Sequence, residues 1–286
     1  MNNVIILLGQ RVRSGTNFIS STLSMHPDIV TLPPKVSLGE FNLFSDRAII
    51  ENVFNKVSQK SFGLNITKQN QSFFFKLYGT LWIDFLSHRF NIHQDKTIFI
   101  KSPIIDNIDL WEYAFPDSKI AIIYRDGRDN VISSVKASND DRSWYNFSTR
   151  VRKKLNFISG RSFVNNAKQW AKTARIISDL EEEKIMKFKY EDLNNSEEGI
   201  AQLLKHYNLK VDKDIIKNCL NAPVVGSSFG NDINFISKPK WTPDPDKSKY
   251  VFTNKWKKWS ALKKLIFKQI AGKELIELGY EKNNNW

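Results

Sequence analysis

Short apolar runs alternate with amphipathic stretches along the chain. Residues 4–8, Val-Ile-Ile-Leu-Leu, are continuously apolar, which predicts a strand buried on both faces. The pattern turns helical over residues 16–25 and is broken by His26-Pro27-Asp28. Residues 98–100, 119–124 and 185–189 predict three more strands. Residues 110–115, 129–137, 167–183, 196–207 and 260–278 predict helices, the first of them stopped by Pro116. Strands alternating with helices imply an α/β fold with a parallel sheet between two helical layers. Two stretches break the alternation. Residues 41–90 read as a cap insertion. Residues 223–255 hold Gly226, Gly230, Pro239, Pro243 and Pro245 and predict a long irregular loop, which in a compact domain is usually functional or disordered.

Composition adds limits. A chain of 286 residues with 41% hydrophobic content, eight Trp and twenty Phe can bury a large core. The net charge of +13 attracts polyanions: nucleic acid, a multiply phosphorylated nucleotide or an acidic glycan. The single Cys219 excludes an internal disulfide and reads as a small buried hydrophobe. No apolar run is long enough to span a bilayer and the start lacks a basic leader, so a cytoplasmic protein without stable membrane insertion is expected.

The candidate chemistry follows the strands. After the first comes Gly9-Gln10-Arg11-Val12-Arg13-Ser14-Gly15-Thr16-Asn17. A strand that turns through a small loop into a helix aims backbone N–H groups at one point, where an anion is held. Gly15 permits close approach, Ser14, Thr16 and Asn17 add polar side chains, and Arg13 adds a forked permanent charge. The Lys of a Walker loop is absent. After the strand at 119–124 comes Arg125-Asp126-Gly127-Arg128-Asp129, with Ser133 in the first turns of the following helix. Arg125 and Ser133 can share a second phosphate. Arg128 suits a salt bridge to a neighbouring Asp. No Cys and His spacing points to a metal.

Together these two motifs resemble the family of sulfotransferases that use 3′-phosphoadenosine 5′-phosphosulfate (PAPS). Residues 13–16, Arg-Ser-Gly-Thr, look like the family's 5′-phosphosulfate loop, and Arg125 with Ser133 looks like its 3′-phosphate site. Lys101-Ser102-Pro103 is similar to the segment that carries a Lys near the transferred group. Tyr190-Glu191-Asp192-Leu193 is similar to the segment whose Tyr touches adenine. Gly226-Ser227-Ser228-Phe229, with Lys255-Trp256 later, is similar to the region that closes over the nucleotide. The resemblance implies a P-loop-like sulfotransferase fold over 1–286 as one domain. It also implies transfer of a sulfuryl group from PAPS to a hydroxyl or amine acceptor, with release of adenosine 3′,5′-bisphosphate (PAP) and no metal.

Pro103 stands where many relatives that act on small hydroxyl compounds carry a basic His, so the chain resembles bacterial, carbohydrate and tyrosyl-protein types more closely. Glu40 and Asp106 are then the candidate general bases, Glu40 preferred because Asp106 is placed to cap a helix. The four His are further candidates. The acceptor, with a carbohydrate among the options, is expected between 41–90 and the stretch 139–161, which holds Trp144, Tyr145, Phe147 and Phe157. Nucleic acid is not expected as a partner. Two other readings remain: a P-loop nucleotide phosphotransferase using Mg²⁺, and a non-enzymatic polyanion binder.

Overall fold

The computed structural model describes residues 2–32, 38–59, 68–138, 146–180, 183–226, 242–250 and 253–286. Its centre is a sheet of β1 (Asn3–Gly9), β2 (Ile29–Thr31), β3 (Thr97–Ser102), β4 (Lys119–Tyr124) and β5 (Ile185–Lys189). The strand order is β2-β3-β1-β4-β5 and every pairing is parallel. Each of the four predicted strands is present. The three-residue β2 was missed, being too short to show a period.

Because side chains alternate along a strand, each apolar run feeds two cores. Val4, Ile6 and Leu8 of β1 join the core on one face, Ile5 and Leu7 the core on the other. The first face is covered by α3 (Lys68–Phe90), α4 (Ile108–Ala114), α5 (Gly127–Ser138), α7 (Arg161–Asp179) and α11 (Ala261–Glu277). The second is covered by α1 (Thr16–Leu23), α8 (Tyr190–Leu193), α9 (Glu197–His206) and α10 (Lys213–Leu220). The expected three layers are therefore observed.

The boundaries have local causes. Asn146, Ser196, Asp212 and Ser260 accept from backbone N–H groups at the starts of α6 (Phe147–Ile158), α9, α10 and α11. Gly160, at φ 73, separates α6 from α7, so α7 begins before the predicted residue 167. The stretch read as an insertion contributes α2 (Arg47–Gln59) and α3. Phe75 and Ile83 of α3 are in the first core, and a Cβ at Gly79 would lie 2.3 Å from the Ala114 carbonyl oxygen, so only glycine lets α3 and α4 approach this closely. Arg47 bonds Asp109 and Asn107, tying α2 to α4.

The sheet's register lines up its carboxyl ends. Leu8 pairs with Ser102, Gly9 with Ile123, and Tyr124 with Lys189. The connection from β1 leaves through α1 on the second face, and that from β4 leaves through α5 on the first. The crevice where neighbouring strands send their connections to opposite faces is the usual ligand position in an open α/β sheet. Both candidate anion loops lie there.

Candidate active site

Gly15 stands at φ 104, just before α1, and a Cβ there would lie 2.3 Å from the Tyr190 ring. Both facts require glycine. No side chain caps the first turn of α1, which also has no acidic residue, so its N–H groups keep their capacity for an anion. Arg13, at φ 73, occupies a backbone region that side chains other than glycine rarely adopt. Contacts to the second motif hold it. Its Nε donates to Ser133 Oγ at 3.0 Å, and Arg125 Nη1 donates to its carbonyl oxygen at 3.2 Å. Arg13 therefore touches both Arg125 and Ser133, and the two motifs form one unit.

Residues the motifs did not flag build this unit. Asn130 Nδ2 donates to Val12 O at 3.2 Å and to Ser14 Oγ at 3.4 Å, fixing the first loop from α5. Arg11 is not a ligand candidate. It is buried and donates to Asn166 O and Oδ1 at 2.8 and 2.7 Å, and burial pushes its pKa down to about 10. Trp170, on the same helix, donates from Nε1 to Arg125 O at 3.1 Å and lies against Gly127. One helix, α7, therefore holds both candidate anion loops.

Arg128 makes the expected salt bridge to Asp126 and a further one to Glu281, which the sequence does not indicate, and its guanidinium lies 3.7 Å from the centre of the Trp256 ring and 4.6 Å from that of Trp286. Asp129 accepts three consecutive backbone N–H groups, from Asn254 at 2.6 Å, Lys255 at 2.8 Å and Trp256 at 3.3 Å. These bonds bring Lys255 to the cleft. Its pKa is pushed down to about 7, first by burial and next by Arg125, with Lys136 and Arg13 adding to the effect against Asp129. Burial thus does most to disfavour the Lys255 charge, and Arg125, Lys136 and Arg13 add to it.

Lys101, at the end of β3, is 0% exposed. Its Nζ donates to Asn17 Oδ1 and pairs with Glu40 Oε2 at 2.7 Å. Burial lowers its pKa and Glu40 opposes that. Glu40 arrives by a backbone route. Lys101 N–H donates to Gly39 O at 2.7 Å and Phe41 N–H donates to Lys101 O at 3.1 Å, so this segment continues the sheet beside β3. The Glu40 side chain stays 40% exposed and can meet an incoming molecule.

Asp106 is exposed in the turn before α4. The capping expected of it does not occur. Asn107 holds the cap position, without a side-chain cap bond. Thr16 is buried at the start of α1. Tyr190 is 1% exposed, with Gly15 against its ring and the Arg125 guanidinium 4.9 Å from its centre. Burial raises its pKa. Ser227, Ser228, Trp144 and Tyr145 lie outside the described residues. His26 and His206 are committed to the backbone oxygens of Lys210 and Ile120 at the amino end of the sheet, and His88 and His93 are exposed. Cys219 is buried, its thiol pushed up to about 11 by burial.

The family model described as "Sulfotransferase family" matches residues 5–213. The chain belongs to the sulfotransferase family. Among solved structures, mouse sulfotransferase SULT7A1 complexed with PAP shares the fold, with a TM-score of 0.51 at 13% identity over 96% of this chain and 84% of that one. The sulfotransferase domain of the Synechococcus PCC 7002 olefin synthase gives 0.48 at 15% identity, over 95% and 94% of the two chains. That of the curacin biosynthetic pathway gives 0.49 at 17% identity, over 98% and 99%. A search of curated protein sequences gives no match. In this sulfotransferase, no helix among the described residues is long and apolar enough to cross a membrane.

Proposed function

We propose that this sulfotransferase takes its sulfuryl group from PAPS and transfers it to a hydroxyl or amine acceptor. The supporting observation is the convergence of Arg13, Arg125, Lys136 and Lys255 beside an uncapped helix start. Two phosphates on one nucleoside suit such a cluster better than one does. Arg125, Ser133 and Lys255 would hold the 3′-phosphate. Residues 13–17 would hold the 5′-phosphosulfate, with Tyr190 backing both Gly15 and Arg125. Ser227 and Ser228 remain candidates from their place in the sequence. The chain works as one catalytic unit in this reading, with α2 and α3 on the acceptor side; of the segment 223–255, expected over the nucleotide, residues 227–241 and 251–252 lie outside the described residues.

The bound donor supplies an activated sulfuryl group on a phosphate leaving group. Glu40 takes the proton of the acceptor as its oxygen or nitrogen bonds to sulfur and the bond from sulfur to the bridging oxygen breaks. Lys101 Nζ neutralises charge on the sulfuryl oxygens, and Arg13 balances charge growing on the phosphate. Asn17 and Glu40 fix the Lys101 ammonium in place. A carbohydrate hydroxyl is one acceptor in this reading, reaching Glu40 from its exposed side.

The direct test is label transfer from radioactive PAPS to compounds of a source extract, in buffer containing a metal chelator. Labelled product and free PAP are expected. Activity lost to the chelator and restored by Mg²⁺ with ATP would favour phosphoryl transfer. Salt-sensitive polyanion binding without label transfer would favour a binding protein.

The nucleotide assignment has its own test. Arg125→Ala should weaken PAP binding about tenfold to a hundredfold while 5′-AMP binding changes little, because a charge-assisted hydrogen bond contributes about 1.5–3 kcal/mol. Isothermal calorimetry with both nucleotides reads the difference. Equal losses for the two would remove Arg125 from the 3′-phosphate.

A further inference from the structure

Helix α6 is built the wrong way round for a helix of a free-standing globule. It packs against α7, yet none of its twelve residues is buried. Those that turn partly inward are polar: Thr149, Lys153 and Asn156. All five of its apolar residues are exposed: Phe147 at 82%, Ile158 at 71%, Leu155 at 61%, Phe157 at 43% and Val151 at 41%. A surface helix normally turns its apolar stripe to the core. Here the stripe faces outward, and the helix is a formed one, with Asn146 Oδ1 accepting from Thr149 N at 3.0 Å at its start.

The charges on this face select what can cover it. Arg150, Arg152 and Lys154 are exposed. At 3.6 residues per turn, Arg150 and Lys154 fall between Phe157 and Phe147 within the apolar arc, and Arg152 lies about 60° beyond Leu155 at its far end. The helix has no acidic residue. A second copy docked through the same face would bring like charges together, because a two-fold interface repeats its own surface. A helix of this length spans about 18 Å, and its convex face covers on the order of a few hundred Å², below what a specific protein interface usually needs. A bilayer surface needs no matching groove. It accepts Phe, Leu and Ile among the acyl chains while Arg and Lys stems reach up to anionic headgroups.

We propose that α6 is a peripheral docking element that lays its Phe147, Val151, Leu155 and Ile158 face into the interface of an anionic membrane. The helix lies on the bilayer without spanning it. Its neighbour α7 holds both anion loops, so docking places the nucleotide site one helix away from the lipid. The whole protein's charge of +13 adds a longer-range attraction.

Sedimentation with vesicles tests this, using phosphatidylcholine alone and phosphatidylcholine mixed with phosphatidylglycerol. The intact protein should bind the anionic vesicles at least about tenfold more tightly than the neutral ones. V151D/L155D should lower that binding about tenfold or more, since both carboxylates enter the apolar interface. R150Q/R152Q/K154Q should lower it about a hundredfold. Thermal unfolding and PAP affinity should not change in either variant, which separates lost docking from lost folding. Equal binding of V151D/L155D and the intact protein would overturn the proposal, leaving only diffuse attraction by net charge. So would absence of binding to both vesicle types. Concentration-dependent dimerisation abolished by V151D/L155D, with no vesicle binding, would assign the face to a second copy instead.

Discussion

Lys101→Met should lower kcat about 10²–10³-fold, with a much smaller change in the KM for PAPS. The ammonium of Lys101 is fully buried at the carboxyl end of β3 and fixed by Asn17 and Glu40. A cation fixed before the reaction needs no reorganisation as charge develops, and removing one such group typically costs two to three decades in rate. Met keeps the length and removes the charge. Glu40 is left without its partner, but its side chain is 40% exposed, so water can take over part of its solvation and the fold should survive. Steady-state kinetics with a thermal melt reads both. Turnover within about threefold of the native value, at an unchanged melting temperature, would take Lys101 out of the reaction.

Glu40→Gln is expected to reduce kcat about 10²-fold while PAP affinity stays within about twofold. The amide keeps the shape and can still accept from Lys101, while the basicity and the negative charge that favours the Lys101 ammonium are both removed. Asp106→Asn is the control. Asp106 is exposed in the turn before α4, and its replacement should leave turnover near normal. A collapse in Asp106→Asn with normal Glu40→Gln would transfer the proton to Asp106. If Glu40→Gln raised the KM for PAPS and left kcat alone, Glu40 would only position Lys101.

The geometry behind these two results was half visible in the sequence. Lys101 and Glu40 could each be nominated, one by its place after a strand and the other by its chemistry. What joins them is the bridge between Glu40 and Lys101 in the sheet, formed after the chain leaves β2 and returns along β3. Nothing local in Gly39-Glu40-Phe41 marks it as an extension of the sheet. Asp106 shows the opposite error. Its place before a helix predicts a cap, and Asn107 holds that position instead. Helix α6 lies within the aromatic stretch 139–161, which suits an acceptor surface. Its apolar spacing is helical, but spacing alone does not reveal that the stripe faces outward.

The sequence by itself determined four of the five strands, the two candidate anion loops and the place of glycine within the first of them. These depend on neighbouring residues: unbroken apolar runs make strands buried on both faces, and a short polar loop between strand and helix has one way to turn. Tertiary structure alone decided which groups meet. Arg13 and Ser133 bond across 120 positions of sequence, Arg11 and Asn166 across 155, and Asp129 and Asn254 across 125. A hydrogen bond is satisfied by any suitable partner within about 3 Å, so its identity is fixed only when parallel register and helix packing have set which backbone segments lie side by side.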